Sequence, residues 1–186
     1  EYGFLLLHMI HFLSKKNVKN FRGTALVRLD LNTEDEWRMR ASLPTLRFLA
    51  DRAEKIIIIS HRGRPIGNEK KFSLRKDTAF LKRFLKRNIR FIPHFRFPEI
   101  KRLIGRAPRG SVFLLENIRF LKGEERNDAV LARTLASLAD FYVNDAFAVS
   151  HRNAASVEAI TAYMPSFAGL ELETELQHLS RILLHP

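Results

Sequence analysis

The sequence predicts an α/β protein built on a doubly wound parallel sheet with helices on both faces. Short apolar, β-branched runs alternate along the chain with segments of helical periodicity, the pattern of strands joined by right-handed crossovers. Four of those runs end in polar or cationic residues, as strands do when their carboxyl ends face a ligand crevice. The clearest is 56–65, Ile-Ile-Ile-Ile-Ser-His-Arg-Gly-Arg-Pro, where an apolar run of a buried parallel strand gives way to a His, two Arg, a Gly and a Pro.

The elements follow in order. Residues 24–30 form the first strand, and period-two alternation puts Asp30 and Asn32 on one face. Thr33-Glu34-Asp35-Glu36 matches a capping box, with Thr33 at the cap and Glu36 three residues on. The helix it opens is expected to reach about Ala53, with Pro44 either kinking it or marking a restart capped by Ser42. Residues 55–60 are the second strand. In 73–88, Leu74, Leu81, Phe84 and Leu85 form an apolar stripe, and Arg75, Lys76, Lys82, Arg83, Lys86 and Arg87 face outward. Residues 89–93 are a third strand, 98–106 a short basic helix and 111–116 a fourth strand. Helix is expected over 127–139, with Leu131, Leu135 and Leu138 on one face, then a fifth strand over 140–144. Helix is expected again over 151–163, and an amphipathic helix carrying Glu171, Glu173 and Glu175 over 169–184.

At 186 residues and 46% hydrophobic content the chain can bury one sizeable core. It has no cysteine, so neither a disulfide framework nor a Cys-based metal site is available, and a reducing compartment suits it. A net charge of +12 permits nucleic acid, acidic membranes or phosphorylated substrates as partners. The charge is spread along the chain rather than gathered in a tail. The apolar stretch 1–13 is too short to span a bilayer and lacks the features of a signal peptide. Met9 is expected to be the true start, with 1–8 as upstream sequence. No G-x-G-x-x-G follows the first strand and no G-x-x-x-x-G-K-[ST] occurs, so the chain carries neither a dinucleotide fingerprint nor a P-loop.

In a parallel sheet the polar strand ends converge on one edge. There the first strand brings Asp30 and Asn32, the second His61, Arg62 and Arg64, and the fourth Asn117 and Arg119. The fifth brings Asn144 and Asp145, with His151 and Arg152 after it. Arg forks suit phosphate and carboxylate, and Asp and Asn can hold hydroxyls, so the set suits a small polyanion. Each residue also has a plainer reading. His61 and His151 could be loop histidines bonded to backbone, Asp145 could cap a turn, and Arg119 could pair with Glu124 or Glu125.

The stretches 27–32, 60–65, 114–120, 123–128 and 142–147, with Ser150-His151-Arg152 and 168–176, resemble in order and spacing the motifs of the phosphoglycerate kinase family. The resemblance covers nearly the whole chain after about Phe12. It implies the amino-terminal domain of that enzyme, a Rossmann-like domain that binds 3-phosphoglycerate in a basic patch. Carried over by position, it implies substrate-holding roles for Asp30 and Asn32, and for Arg38 a place near the transferred phosphoryl group and hence a catalytic role. It implies that His61, Arg64, Arg119 and Arg152 anchor the non-transferring phosphate. On this reading 1–17 is an amino-terminal extension, 18–168 the substrate-binding domain and 169–186 the start of the interdomain helix. The sequence departs from the family pattern in a shortened 33–37 loop, in Arg62 where the family has an apolar residue, and in Ala148 in place of Gly. The resemblance implies a cytoplasmic, monomeric glycolytic enzyme whose Mg-ATP or ADP is bound by a carboxy-terminal domain outside this chain, so that the chain alone binds substrate without turnover. The competing reading is a basic nucleic-acid-binding or non-catalytic relative. Against it, the basic helix faces lack interleaved aromatics, and Asp30 and Asp145 would repel a phosphate backbone.

Overall fold

A computed structural model of the chain describes residues 11–14 and 21–184. The described strands are β1 (Thr24–Leu29), β2 (Lys55–Ile59), β3 (Ile89–Ile92), β4 (Ser111–Leu115), β5 (Phe141–Asp145) and β6 (Ser166–Ala168). They form one parallel sheet in the order β3-β4-β2-β1-β5-β6. The helices are α1 (Glu36–Ala41), α2 (Leu43–Ala50), α3 (Asp77–Leu85), α4 (Phe97–Arg106), α5 (Ala129–Ala136) and α6 (Leu170–Leu184). The doubly wound α/β architecture is therefore as the sequence predicts.

Register explains why the strand ends meet. Phe141, Ala25, Ile56, Val112 and Ile89 lie in one row across the sheet, and Val143, Val27, Ile58, Leu114 and Phe91 in the next. Every strand thus delivers its carboxyl end to the same edge. These two rows pack under Leu46 and Leu49 of α2 and Leu81 and Leu85 of α3. Alternate residues, Leu26, Ile57, Ile59, Phe113, Leu115 and Tyr142, pack under Ile100 and Ile104 of α4 and Ala132 and Leu135 of α5. Both faces are covered, which is why the central strands are apolar at nearly every position.

Three local expectations are corrected. Thr33 does not open a helix: its hydroxyl accepts from the Asp35 N–H at 3.0 Å, a local turn that competes with the capping box. The helix starts at Glu36, and the Glu36 carboxylate pairs with Arg40 one turn on instead of reaching back. At Pro44 the chain restarts rather than kinks; Ser42 lies between α1 and α2 but makes no side-chain cap. The 151–163 segment is not an α-helix. Only Ala159–Ala162 forms a 3-10 turn, because nearby backbone donors are taken by another segment. Ala155 N–H donates to the Glu124 carbonyl (2.9 Å), Ser156 N–H to the Glu124 carboxylate (3.0 Å) and Ala159 N–H to Asn127 Oδ1 (3.0 Å).

Two further contacts lie outside the sequence-based expectations. Strand β6 follows Pro165 and pairs with β5, while residues 11–14 lie beside it: Leu13 N–H donates to the Ala168 carbonyl at 2.9 Å, and Leu13 is fully buried. The expected extension over 1–17 otherwise falls outside the described residues, as does Met9.

The turn after β2 is tied to β1 through a buried serine. Ser60 Oγ donates to the Leu29 carbonyl (2.7 Å) and accepts from the Leu31 N–H (3.0 Å). Ser60→Ala leaves that buried N–H unpaired and is expected to lower stability by about 1–3 kcal/mol in urea unfolding. A change within experimental error would show that the link carries no weight.

Candidate functional site

The site is assembled on the carboxyl ends of β1, β2, β4 and β5, where the chain order reverses about β1. Its frame is the turn Ser60–Gly63. Gly63 has φ +60°, and a Cβ there would come within 2.3 Å of the Phe72 ring, so this turn takes glycine. The Gly63 N–H donates to Asn32 Oδ1 at 2.7 Å, which joins the β1 and β2 ends. Its carbonyl accepts from Arg119 Nη1 at 2.5 Å, which joins the β4 end. Asn117, fully buried, donates through Nδ2 to the carbonyls of Arg62 (2.8 Å) and Phe72 (3.0 Å).

At the centre lies His61, fully buried, with Nδ1 3.2 Å from an Arg28 guanidinium nitrogen and Nε2 without a hydrogen-bond partner. Burial first, then the charges of Arg28, Arg119, Arg152 and Arg62, lower its pKa to about 2. The ring is therefore neutral at physiological pH, and Arg28 bonded to Nδ1 leaves the proton on Nε2. Arg28 itself is a buried cation on β1. It donates to Ser156 Oγ at 2.7 Å and lies 3.5 Å from the Glu124 carboxylate. A cleft of about 180 Å³ opens beside them, lined by Arg28, Arg119, Arg152, Glu124, Glu125 and Asn153 among others. Burial draws the Arg119 pKa down; Glu125, 3.2 Å from Nε, opposes this, while Arg152 and Arg28 reinforce it.

A second recess lies along β1. Asp30 accepts from the Asn32 N–H (3.1 Å) and from Arg38 Nη2 (3.4 Å), and Arg38 is half-exposed beside Trp37, Ala148, Glu171 and Glu175. Asp145 borders this recess but is turned away from service as a ligand group. Its Oδ1 accepts from the N–H groups of Glu171 (3.0 Å) and Leu172 (3.3 Å), capping α6. Burial pushes its pKa up to about 7, against the Thr45 hydroxyl and those backbone donors.

The structure thus brings His61, Arg119 and Arg152 together, and separately Asp30, Asn32 and Arg38. Arg64 is exposed and has no hydrogen bond or ion pair among the described residues. The plainer reading holds for Asp145, a cap; Arg119 pairs with Glu125, but its side chain is 7% exposed and lines the cleft, so it is not a surface arginine. Arg62 finds a partner in α3: its guanidinium donates to the buried Asp77 carboxylate at 2.6 Å. Sequence reasoning passed over Arg28 and Ser156, and named Glu124 only as a partner for Arg119. A signal existed in Arg28, a lone charge inside an apolar strand. Among the described residues no cluster of three or more His, Cys, Asp or Glu side chains would hold a metal ion.

A pH dependence follows. The unfolded chain protonates His61 near pH 6.5 and the folded chain only near 2. Between these values the unfolded state binds more protons, so the His61 contribution to stability is full above pH 6.5 and is lost as pH falls toward 2. Asp145 works in the opposite sense. Its folded pKa is raised, so its contribution is full below about pH 3.8 and is lost as pH rises through 7. Urea unfolding from pH 7.5 to 4.5 is expected to show a steeper loss toward acid in wild type than in His61→Gln, with Asp145 common to both. The His61 ring signals in NMR should stay those of the neutral form down to pH 5; an inflection near 6.5 would overturn the assignment.

Comparison with known proteins agrees with this architecture. The family model described as phosphoglycerate kinase matches residues 16–186. Relatives include the phosphoglycerate kinase of Wolbachia pipientis from Culex pipiens, 38% identical over 94% of this chain and 46% of its own. A cytosolic phosphoglycerate kinase of Triticum aestivum is 42% identical over 86% of this chain and 42% of its own. Among solved structures, phosphoglycerate kinase from Coxiella burnetii superposes with a TM-score of 0.81 at 32% identity, covering 95% of this chain and 46% of that one. The chain spans about half the length of the curated relatives it matches. With a family model covering most of its length and its sheet shared with solved members, the chain belongs to the phosphoglycerate kinase family.

Proposed function

We propose that this chain is the 3-phosphoglycerate-binding half of a phosphoglycerate kinase, serving reversible phosphoryl transfer between 1,3-bisphosphoglycerate and ADP. The observation that carries the reading is the set of guanidiniums held around a neutral, buried His61 at the strand ends. Cations fixed in a partly buried cleft meet a phosphate without having to be assembled at the moment of binding. On this reading His61, Arg64, Arg119 and Arg152 anchor the non-transferring phosphate. His61 Nε2–H, unpartnered and donor-only, is suited to a phosphate oxygen. Arg64, exposed and unpaired among the described residues, closes from the solvent side. Asp30 and Asn32 orient the hydroxyl and carboxylate end, and Arg38 neutralises charge developing on the transferred group.

Mg-ATP and ADP do not fit this chain's own residues. It has no glycine-rich phosphate loop, and the described residues hold no carboxylate cluster for a metal. The nucleotide is assigned to the part of the protein corresponding to the half of its relatives that this chain does not span, with residues 18–168 as the substrate domain and 169–186 leading toward the other half. The protein works as a cytoplasmic monomer on a small-molecule substrate, and no described helix is long and apolar enough to cross a membrane.

Calorimetric titration of 3-phosphoglycerate into the chain tests this. Binding is expected, weakened roughly 10- to 100-fold in Arg64→Ala and in Arg152→Ala, the loss of one charge-assisted contact. Unchanged affinity in both variants would remove the anchoring role. ATP-dependent phosphorylation of 3-phosphoglycerate by the purified chain would refute the division of labour.

A further inference from the structure

A second concentration of charge lies away from the strand ends just described. On the outer edge of the sheet, β3 and α4 enclose an open cleft of about 820 Å³. Alternate residues of the edge segment, Arg90, Ile92 and His94, face it, and α4 supplies Arg102 and Arg106, one turn apart. Arg87 and Arg109 stand at its end nearest the amino ends of β3 and β4. Its floor is apolar and closed, with Ile92, Ile100 and Phe113 all nearly inaccessible. Glu99 is the only carboxylate on its lining among the described residues, and Arg96 holds it at 3.2 Å.

What separates this cleft from an ordinary solvated surface is that several weakly answered cations share one lining. Arg87 reaches Asp51 only at 3.8 Å, and Arg109 pairs with Glu54 at 2.9 Å. Arg90, Arg102 and Arg106 have no ion pair, hydrogen bond or ring contact among the described residues. Elsewhere Arg62, Arg38 and Arg40 sit in ion pairs and Arg52, Arg75, Arg83 and Arg133 over aromatic rings, while Arg22, Arg64, Arg126 and Arg181 also have no side-chain partner among the described residues. Three free guanidiniums on two facing walls leave a charge that the fold itself does not answer.

We propose that this cleft binds the sugar–phosphate backbone of single-stranded nucleic acid, independently of base sequence. Guanidinium forks match phosphate oxygens in pairs. The cleft is an open trough along the edge strand rather than a closed pocket, its lining running from Arg87 past β3 to His94. That shape suits a linear polyanion better than a compact one. Of the rings on the described lining Phe113 is buried and His94 faces the cleft, so stacking adds little and binding comes chiefly from the backbone. The acids that argue against nucleic acid at the strand ends, Asp30 and Asp145, are not on this lining.

The test is fluorescence anisotropy of a labelled 15-nucleotide oligouridylate against the full chain at 50 and 200 mM salt. Binding is expected at 50 mM with a steep loss at 200 mM. The triple variant Arg90→Ser/Arg102→Ser/Arg106→Ser should weaken it by about tenfold or more and reduce the log–log salt slope by about 2. These side chains are exposed, so the fold is expected to survive, and retained 3-phosphoglycerate affinity checks it independently of the oligonucleotide. Lys70→Ser/Lys76→Ser/Lys82→Ser removes the same charge elsewhere and should have little effect. Equal weakening by both triples would reduce the effect to net charge and overturn the site. So would no binding at 50 mM salt, or displacement of the oligonucleotide by polyglutamate as readily as by unlabelled oligouridylate.

Discussion

The buried guanidinium of Arg28 is the constraint around which the strand-end region is arranged. A charge in the middle of an apolar strand, 2% exposed, carries a desolvation cost of several kcal/mol unless it is answered. Glu124, equally buried, answers it at 3.5 Å, and Ser156 bridges the two, accepting from Arg28 at 2.7 Å and donating to Glu124 at 2.6 Å. Because Glu124 also accepts from the Ser156 N–H, and its carbonyl from Ala155, the segment after β5 is pulled onto the turn after β4. That closure places Arg152 beside Arg119. The ion pair is weak as a source of net stability, yet removing one partner would strand the other, so the three residues hold the cleft in a single arrangement.

Most of the sheet is legible in the sequence because its signals are local. Runs such as 56–59 and 112–115 are apolar at every position, and the 3.6-residue periodicity of 74–85 can only be a helix packed on one side. The strand-end residues are legible for a related reason: once the strands are parallel, topology alone brings their ends together. What was not legible depends on contacts distant in sequence. Residues 151–163 have helix-compatible composition, but Glu124 and Asn127, some thirty positions away, take the backbone donors a helix would use. Strand β6 is three residues long, too short for a period, and exists because β5 offers an edge. Arg62 reads as surplus charge until α3 is folded against the turn, where it meets the buried Asp77.

The same chemistry explains why Asp145 and Asp30 part ways although both end strands. Asp145 points back into the sheet edge, and its oxygen closes on the first N–H groups of α6. A Cβ at Gly169 would lie 2.2 Å from that oxygen, so the glycine is what lets helix and carboxylate approach. Asp30 points outward, where its only side-chain partner among the described residues is the half-exposed Arg38. One carboxylate is consumed by capping a helix and the other pairs with a half-exposed arginine, and only the identity of the next element distinguishes them.

Electrostatic preparation of the cleft is uneven in a way that bears on ligand exchange. Glu124 is buried and locked by Ser156, so its compensation of Arg28 is permanent. Glu125 is 65% exposed, whereas the Arg119 side chain it pairs with is 7% exposed. An exposed carboxylate keeps its hydration when it rotates into water, and the Gly63 carbonyl continues to accept from the guanidinium it leaves. The buried guanidinium has no such freedom; burial and two neighbouring arginines already draw its pKa down. On the proposed reading, a phosphate entering the cleft would displace the exposed anion and keep the rigid cation, giving a second acceptor oxygen to the same fork. The fold has fixed the donor and left only the acceptor exchangeable, the arrangement that favours release as well as capture.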